Sequence, residues 1–320
     1  MIRTRTGLAA AVTAAALALG AAAASAQVVA IGSTQRGGTS QIGRAIAAAV
    51  SEGSPLSARP QELANTADYI PLVNAGELDF GVANMVQLDF AVAGEGMSAG
   101  RPHQNLRMVA TLMPFQNSYV VREDSGIETI SDLEGRRAPE FPDGALGDYV
   151  TRAYLANAGM TKDDVTGVPV PNFPRMWNSF AEGSTDVTIV VVGAANAREF
   201  DATLGGIRYL SLDPSDEAYA RMQPWLPGTY PMEVTPESGI PGIDEPVIVN
   251  AYDYTFFASA DTPEQTVYDA VKAMWEQEAF LRDSSPIWRM FEKETMGKAQ
   301  SVDYHPGAIR FYQEMGVWSE

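Results

Sequence analysis

The chain has 320 residues, no cysteine, and 40 acidic against 22 basic side chains, for a formal charge of −18. That length is enough for two domains with proper cores. The lack of cysteine excludes disulfide frameworks, thiolate metal sites and a lipidated cysteine anchor, and the acidity argues against nucleic acid or an anionic membrane surface as a partner.

Arg3 and Arg5 precede an Ala/Leu-rich stretch, Leu8–Ala24, and the small residues Ala24-Ser25-Ala26 follow it. This pattern predicts a cleaved signal segment over residues 1–26, with Gln27 opening the mature chain, and hence a freely soluble product in the periplasm of a Gram-negative cell. The mature chain is organised around Val28–Val50. An apolar run, Val28–Ile31, leads to a polar loop, Gly32–Ser40, and then to a helical pattern over Ile42–Val50. The glycines Gly32, Gly37 and Gly38 match neither a Walker loop nor GxGxxG. A loop of this kind at a strand end offers backbone N–H groups and hydroxyls to a small ligand; the plainer alternative is a tight turn that needs a positive φ.

Ser51–Arg59 reads as a polar turn region. Asn65-Thr66 opens a helix over Ala67–Asn74, followed by strand Leu78–Asn84, helix Val86–Val92 and strand Leu106–Met113. This β-α-β-α-β rhythm predicts a parallel sheet with helices on both faces. A second α/β unit follows from Ser118–Glu123. Its elements are strand Arg136–Phe141, loop Pro142–Gly147, helix Asp148–Ala158, strand Val168–Pro171, helix Phe173–Glu182, strand Val187–Val192, turn Gly193–Asn196, helix Ala197–Leu204 and strand Ile207–Leu212. Asp213–Pro246 carries seven prolines and reads as an irregular covering segment. Val247–Ala258 is extended, Pro263–Phe280 is one long helix, and Trp288–Phe291 and His305–Met315 are helical.

The order and spacing of several pieces carry a family resemblance. They are IGSTQRGGTSQIGRAIA at Ile31–Ala47, NAGELDFGVAN at Asn74–Asn84, NLRMVATLMP at Asn105–Pro114, REDSGIETISDLEGRR at Arg122–Arg137, VVVGAANA at Val190–Ala197, and HPGAIRFYQEMGVW at His305–Trp318. With these the chain resembles TAXI-type solute receptors, the extracytoplasmic component of tripartite ATP-independent (TRAP) transporters. The resemblance implies an α/β, type II periplasmic-binding-protein fold: two lobes, a hinge and a ligand cleft between them. Lobe I would hold residues 27–116, lobe II residues 117–250, and residues 251–320 would return to lobe I. Asn105–Glu123 and Val247–Ala258 are both extended and able to pair as hinge strands. The implied function is to bind a small organic acid, amino acid or related metabolite and deliver it to a TRAP membrane subunit; a receptor for an ABC importer or a sensor is the alternative. A monomer is expected, with no cofactor, no metal and no nucleic acid. GxSxG, HExxH and a Cys–His pair are absent, so no enzyme is expected.

In such a fold the loops at strand carboxyl ends face the cleft. That rule selects Ser33, Thr34, Gln35, Gly38 and Thr39 in the opening loop, Asn65 and Thr66 at a helix start, and Asn84 at a strand end. From the second lobe it selects Phe141, Asp143, Gly144, Ala145 and Leu146, with Gly193 and Asn196. Family members commonly carry Gly-Ser-Gly-Thr where this chain reads Asp143-Gly144-Ala145-Leu146, and Val-Tyr-Tyr where it reads Thr39-Ser40-Gln41. Two hydroxyls are thereby lost, and Phe141, Leu146 and Trp177 become candidates to wall an apolar part of a ligand. Asp143 meets a ligand amine or is a solvated turn residue. Arg175 and Arg198 are candidate partners for an acid, against the default of surface arginines on helices. His305 reads as structural, and His103 lies in a Pro-containing loop.

Overall fold

The structure, a computed structural model, describes residues 26–318; the expected signal segment up to Ser25 lies outside the described residues. The chain begins with β1 (Gln27–Thr34), α1 (Gly38–Gly53), β2 (Leu56–Leu63), α2 (Thr66–Asn74), β3 (Phe80–Asn84) and α3 (Met85–Ala93). A long strand, β4 (Leu106–Arg122), leads to β5 (Arg137–Glu140), α4 (Leu146–Asn157), β6 (Thr166–Pro169), α5 (Phe173–Ala181) and β7 (Val187–Val191). Then come α6 (Ala195–Leu204), β8 (Ile207–Tyr209), α7 (Asp216–Met222) and β9 (Tyr230–Val234). A second long strand, β10 (Val247–Ser259), returns the chain to α8 (Glu264–Glu276), α9 (Glu278–Ser284) and α10 (Pro306–Met315).

One curled sheet runs through the molecule in the order β2-β1-β3-β10-β4-β7, with β8 added to β4 and β9 to β10. β1 pairs in parallel with β2 and β3. The sheet is nevertheless mixed rather than parallel throughout, because β10 inserts antiparallel between β3 and β4. Local β-α-β rhythm cannot announce a strand that arrives from about 150 residues away in sequence. β4 and β10 are the hinge strands. Their pairing near Leu106–Thr111 belongs to the lobe of β1–β3, and Asn117 onward carries β7 and β8 of the other lobe. At the crossing Pro114 pairs with Asp253, and Thr111 with Thr255, so β4 holds one extra residue there. Such a bulge bends the strand and re-aims its side chains.

Four other local readings change. β1 continues through Gly32-Ser33-Thr34, and α1 starts at Gly38, so the expected nine-residue loop shrinks to Gln35–Gly37. The expected polar turn at Ser51–Arg59 contains the start of β2. Pro60 is tolerated there because β2 is an edge strand, paired only with β1. Finally, Pro263–Phe280 is two helices, α8 and α9, parted at Gln277. Asp213–Pro246, read as irregular, holds α7 and β9.

α1 forms because Ile42, Ile46, Ala49 and Val50 recur on one face and all are buried. Gly43 lets that face sit directly on β1, since a Cβ there would lie 2.6 Å from Cβ of Ser33. α8, α9 and α10 return to pack on the same lobe. His305 caps α10, its Nδ1 accepting from Gly307 N–H at 3.1 Å.

Candidate functional site

The two lobes meet around a cavity of about 380 Å³, at the small end of the ~300–1,000 Å³ usual for ligand sites. Its floor is the crossing of the hinge strands. Phe115 and Asn117 lie two apart on β4, and Tyr252 and Tyr254 two apart on β10, so each pair faces the same side of the sheet and all four line the cavity. The Phe115 ring stacks on Tyr254 at 4.3 Å and on Tyr252 at 5.8 Å between centroids. The Tyr254 hydroxyl shares a 2.6 Å hydrogen bond with Thr39 Oγ1. Burial pushes both phenols above their ordinary range, so both stay protonated at neutral pH.

One wall comes from strand ends of the first lobe. Asn84 ends β3 and caps α3, its side-chain oxygen accepting from Gln87 N–H at 2.9 Å. The Asn84 amide donates to Gln87 Oε1 at 3.1 Å, and the Gln87 amide donates in turn to Thr66 Oγ1. These three side chains are buried and hold one another in place. Thr34, Arg36, Gly38, Thr39 and Asn65 complete this wall, and Arg101 joins it from the loop after α3.

The opposite wall is aromatic. Phe141 and Phe173 pack at 5.1 Å, and Phe173 and Trp177 at 6.1 Å. Trp177 is anchored by its Nε1, which donates to the Ile189 carbonyl at 2.9 Å. Asp143, Gly144, Ala145 and Leu146 lead into α4 beside them. Asp148 fixes this loop: its carboxylate accepts from Gly144 N–H at 3.1 Å, from Arg152 Nε at 2.9 Å and from Lys162 Nζ at 3.0 Å. Burial alone would push that carboxyl up; the hydrogen bonds from Lys162, Arg152 and Gly144 outweigh it and hold it below the usual carboxylate range.

The lobes also touch directly. Gly37 lies against the Trp177 ring, with no room for a Cβ. Arg36 donates to Asn178 Oδ1 at 3.2 Å and pairs with Glu199 at 3.4 Å. The Gln41 side-chain oxygen accepts from Ala195 N–H at 3.0 Å, and Phe90 packs on Tyr149 at 5.6 Å. The arrangement is a closed cleft.

The cavity therefore brings together Thr34, Gly38, Thr39, Asn65, Thr66, Asn84, Phe141, Asp143, Gly144, Ala145 and Leu146 from the sequence reading, along with Trp177. It does not include Ser33, Gln35, Gly193 or Asn196. Ser33 belongs to β1 and is buried against Gly43 of α1. Gln35 is exposed, and its N–H donates back to Leu63 at 3.1 Å. Gly193, at φ +80°, packs on Pro286 and Ile287, and Asn196 is buried inside α6, the helix starting two residues earlier than expected. Arg175 and Arg198 are exposed and line nothing here. Asp143 is paired with Arg152 at 3.0 Å and Lys162 at 3.5 Å. Among the described residues no group of three or more His, Asp or Glu is placed to hold a metal ion.

Arg36, Gln87, Arg101, Phe115, Asn117, Phe173, Tyr252 and Tyr254 line the cavity but were not among the residues selected from sequence. The strand-end rule looks only at loops, whereas four of these lie within the hinge strands. Their signal was the i, i+2 spacing of Phe115/Asn117 and Tyr252/Tyr254 on strands already expected to pair.

Two α/β lobes strung on two shared strands, with a cavity closed over the crossing, define the type II periplasmic-binding-protein fold. The chain belongs to the NMT1-like family, whose model matches residues 31–316. Among solved structures it is similar to the alkanesulfonate-binding protein SsuA from Xanthomonas axonopodis pv. citri bound to MOPS. Identity is 14%, the match covers 92% of this chain and 94% of that one, and the TM-score is 0.51. It also matches the periplasmic aliphatic sulphonate binding protein SsuA from Escherichia coli, at 18% identity over 81% and 78% of the two chains with TM-score 0.45. A binding protein component of an ABC phosphonate transporter from Pseudomonas aeruginosa matches at 10% identity over 83% and 81%, with TM-score 0.48.

Proposed function

We propose that the chain is an extracytoplasmic solute receptor, which holds a small organic molecule in the interlobe cavity and presents it to a membrane partner. The observation that carries this reading is the closed, aromatic-walled cavity at the crossing of the two hinge strands. A ligand touching both walls stabilises the closed form over the open one, and the membrane partner senses that closure. Lobe I is assigned residues 27–116 and 251–320, and lobe II residues 117–250. No helix among the described residues is long and apolar enough to cross a membrane. The Arg3–Ala26 pattern supports export with cleavage before Gln27, which N-terminal sequencing of the exported chain tests.

The class of membrane partner is the finer part of the reading. The ordered pieces from Ile31 to Trp318 favour an ion-coupled TRAP partner. A receptor for an ABC importer or a sensor uses the same fold and cleft, and the family match and the likeness to the Xanthomonas SsuA suit it better than a TRAP partner. Uptake into vesicles that requires a sodium gradient without ATP supports the first; uptake that requires ATP supports the second.

The cavity itself is tested by native mass spectrometry of gently purified protein, with a thermal-shift screen of metabolites. The expected result is a bound small molecule released unchanged, or a metabolite that raises the melting temperature. Tyr254→Phe, which removes the bond to Thr39, is expected to weaken that ligand by up to about tenfold, while Ser33→Ala leaves its affinity unchanged. No bound mass and no shift with any metabolite overturns the receptor reading.

A further inference from the structure

The charges at the cavity are unequal in a way that selects the ligand. The only carboxylate among the described lining residues is Asp143, and Arg152 and Lys162 already neutralise it. Two cations line the cavity, Arg36 and Arg101. Arg36 is engaged across the cleft by Glu199 and Asn178. The Arg101 guanidinium has no hydrogen-bond or ion-pair partner among the described residues, although the loop bearing it is held by backbone bonds. Gly100 N–H donates to Gly94 at 2.9 Å, Arg101 N–H to Ser98 at 2.8 Å, and His103 N–H to Ala91 at 2.7 Å. An exposed, unpaired cation that lines the cavity from a loop with a pinned backbone is open to an anion.

Among the described lining residues, no unpaired carboxylate waits for a ligand ammonium, and no second free cation waits for a second acid. Most of the rest of the far wall is carbon: Phe141, Leu146, Phe173 and Trp177 line it with Pro171 and Pro174, and Asn172 is its further polar side chain. A polar ligand body would lose its water against these rings without gaining hydrogen bonds there, whereas an apolar body gains by the same burial.

Resting on the receptor reading, we propose that the ligand is a monoanionic organic acid with an apolar body, its acid group held by Arg101 and its body packed between the Phe141–Phe173–Trp177 wall and the Phe115–Tyr254 floor.

Isothermal titration of the purified mature chain tests this with five probes: phenylacetate, 4-methylpentanoate, 2-phenylethanol, succinate and L-glutamate. At least one of the two monoacids is expected to bind tenfold or more tightly than succinate and L-glutamate, and phenylacetate tenfold or more tightly than 2-phenylethanol, which keeps the ring and lacks the charge. Arg101→Gln is expected to erase most of the acid-over-alcohol preference, and Arg101→Lys to retain part of it. Tighter binding of succinate or L-glutamate overturns the ligand class and leaves the receptor reading standing. An acid preference that survives Arg101→Gln and falls with Arg36→Gln overturns the role of Arg101. Binding of none of the five overturns the ligand class; the receptor reading then stands or falls separately on whether native mass spectrometry finds a bound molecule.

Discussion

Gly37 is the residue on which the opening segment turns. It caps α1 with φ +84° and ψ −166°, a backbone conformation open essentially to glycine alone. It also lies against the Trp177 ring of the other lobe. Gly37→Ala therefore meets two penalties, backbone strain of about 1–3 kcal/mol and overlap with an anchored indole. The expected outcome is a lower denaturation midpoint together with an altered tryptophan emission spectrum. An unchanged midpoint and spectrum would mean that the segment can repack away from Trp177. The bare glycine count never distinguished this position from Gly32 or Gly38; the positive φ belongs to Gly37 among the three.

At the scale of the element, the loop entering α4 depends on one carboxylate behind it. Asp148 is nearly buried, and it gathers Arg152, Lys162 and the Gly144 N–H. Asp148→Asn leaves Arg152 and Lys162 with only the exposed Asp143 as partner and frees the loop that carries Gly144–Leu146. A loss of about 1–3 kcal/mol is expected from broken charged hydrogen bonds with partly solvated partners. The pH dependence has a definite sign. Because the folded-state value lies below the ordinary 3.8, the unfolded chain takes up its proton first as pH falls. Asp148 thus contributes full stability above that ordinary value, and loses it as pH drops through the lower folded value. Denaturation measured from about pH 5 down to about pH 2 is expected to show a shallower acid loss in the Asn variant. Equal slopes in both proteins would remove Asp148 from the acid transition.

For the whole molecule the question is what keeps the cleft shut. Among the described residues few direct polar contacts join the lobes away from the hinge strands: Arg36 to Asn178 and Glu199, Gln41 to Ala195 N–H, and Arg289 to the Ser238 carbonyl. Arg36 and Glu199 are both well exposed, so their pairing is worth at most about 1 kcal/mol, and the Gln41 bond adds about 1 kcal/mol. Removing both with Arg36→Ala and Gln41→Ala shifts the open–closed ratio toward open by up to about thirtyfold. Small-angle scattering of the ligand-free double variant is expected to show a larger radius of gyration than the parent chain, with added ligand restoring the compact value. No change in radius would place the closing energy in the Gly37–Trp177 and Phe90–Tyr149 packing instead.

The sequence alone was sufficient for what local patterning encodes. The 3.6-residue repeat of Ile42, Ile46, Ala49 and Val50, the strand run Val187–Val191 and the two long extended segments are properties of neighbouring residues, and the elements formed where those patterns lie. The strand-end rule likewise found Thr34, Thr39, Thr66, Asn84 and the Phe141–Leu146 loop, because side chains at the carboxyl ends of strands have few other places to point. Tertiary structure decided the rest. Insertion of β10 between β3 and β4 made the sheet mixed and turned Phe115, Asn117, Tyr252 and Tyr254 into the cavity floor. Packing of α1 onto β1 buried Ser33, one residue from a neighbour that faces the cavity, since successive strand residues point to opposite sides. The pairing of Asp143 with Arg152 and Lys162, and of Arg36 with Glu199, left Arg101 as the cation without a partner among the described lining residues. Which charge stays free is a matter of distances between residues far apart in the chain, and only the folded molecule sets those distances.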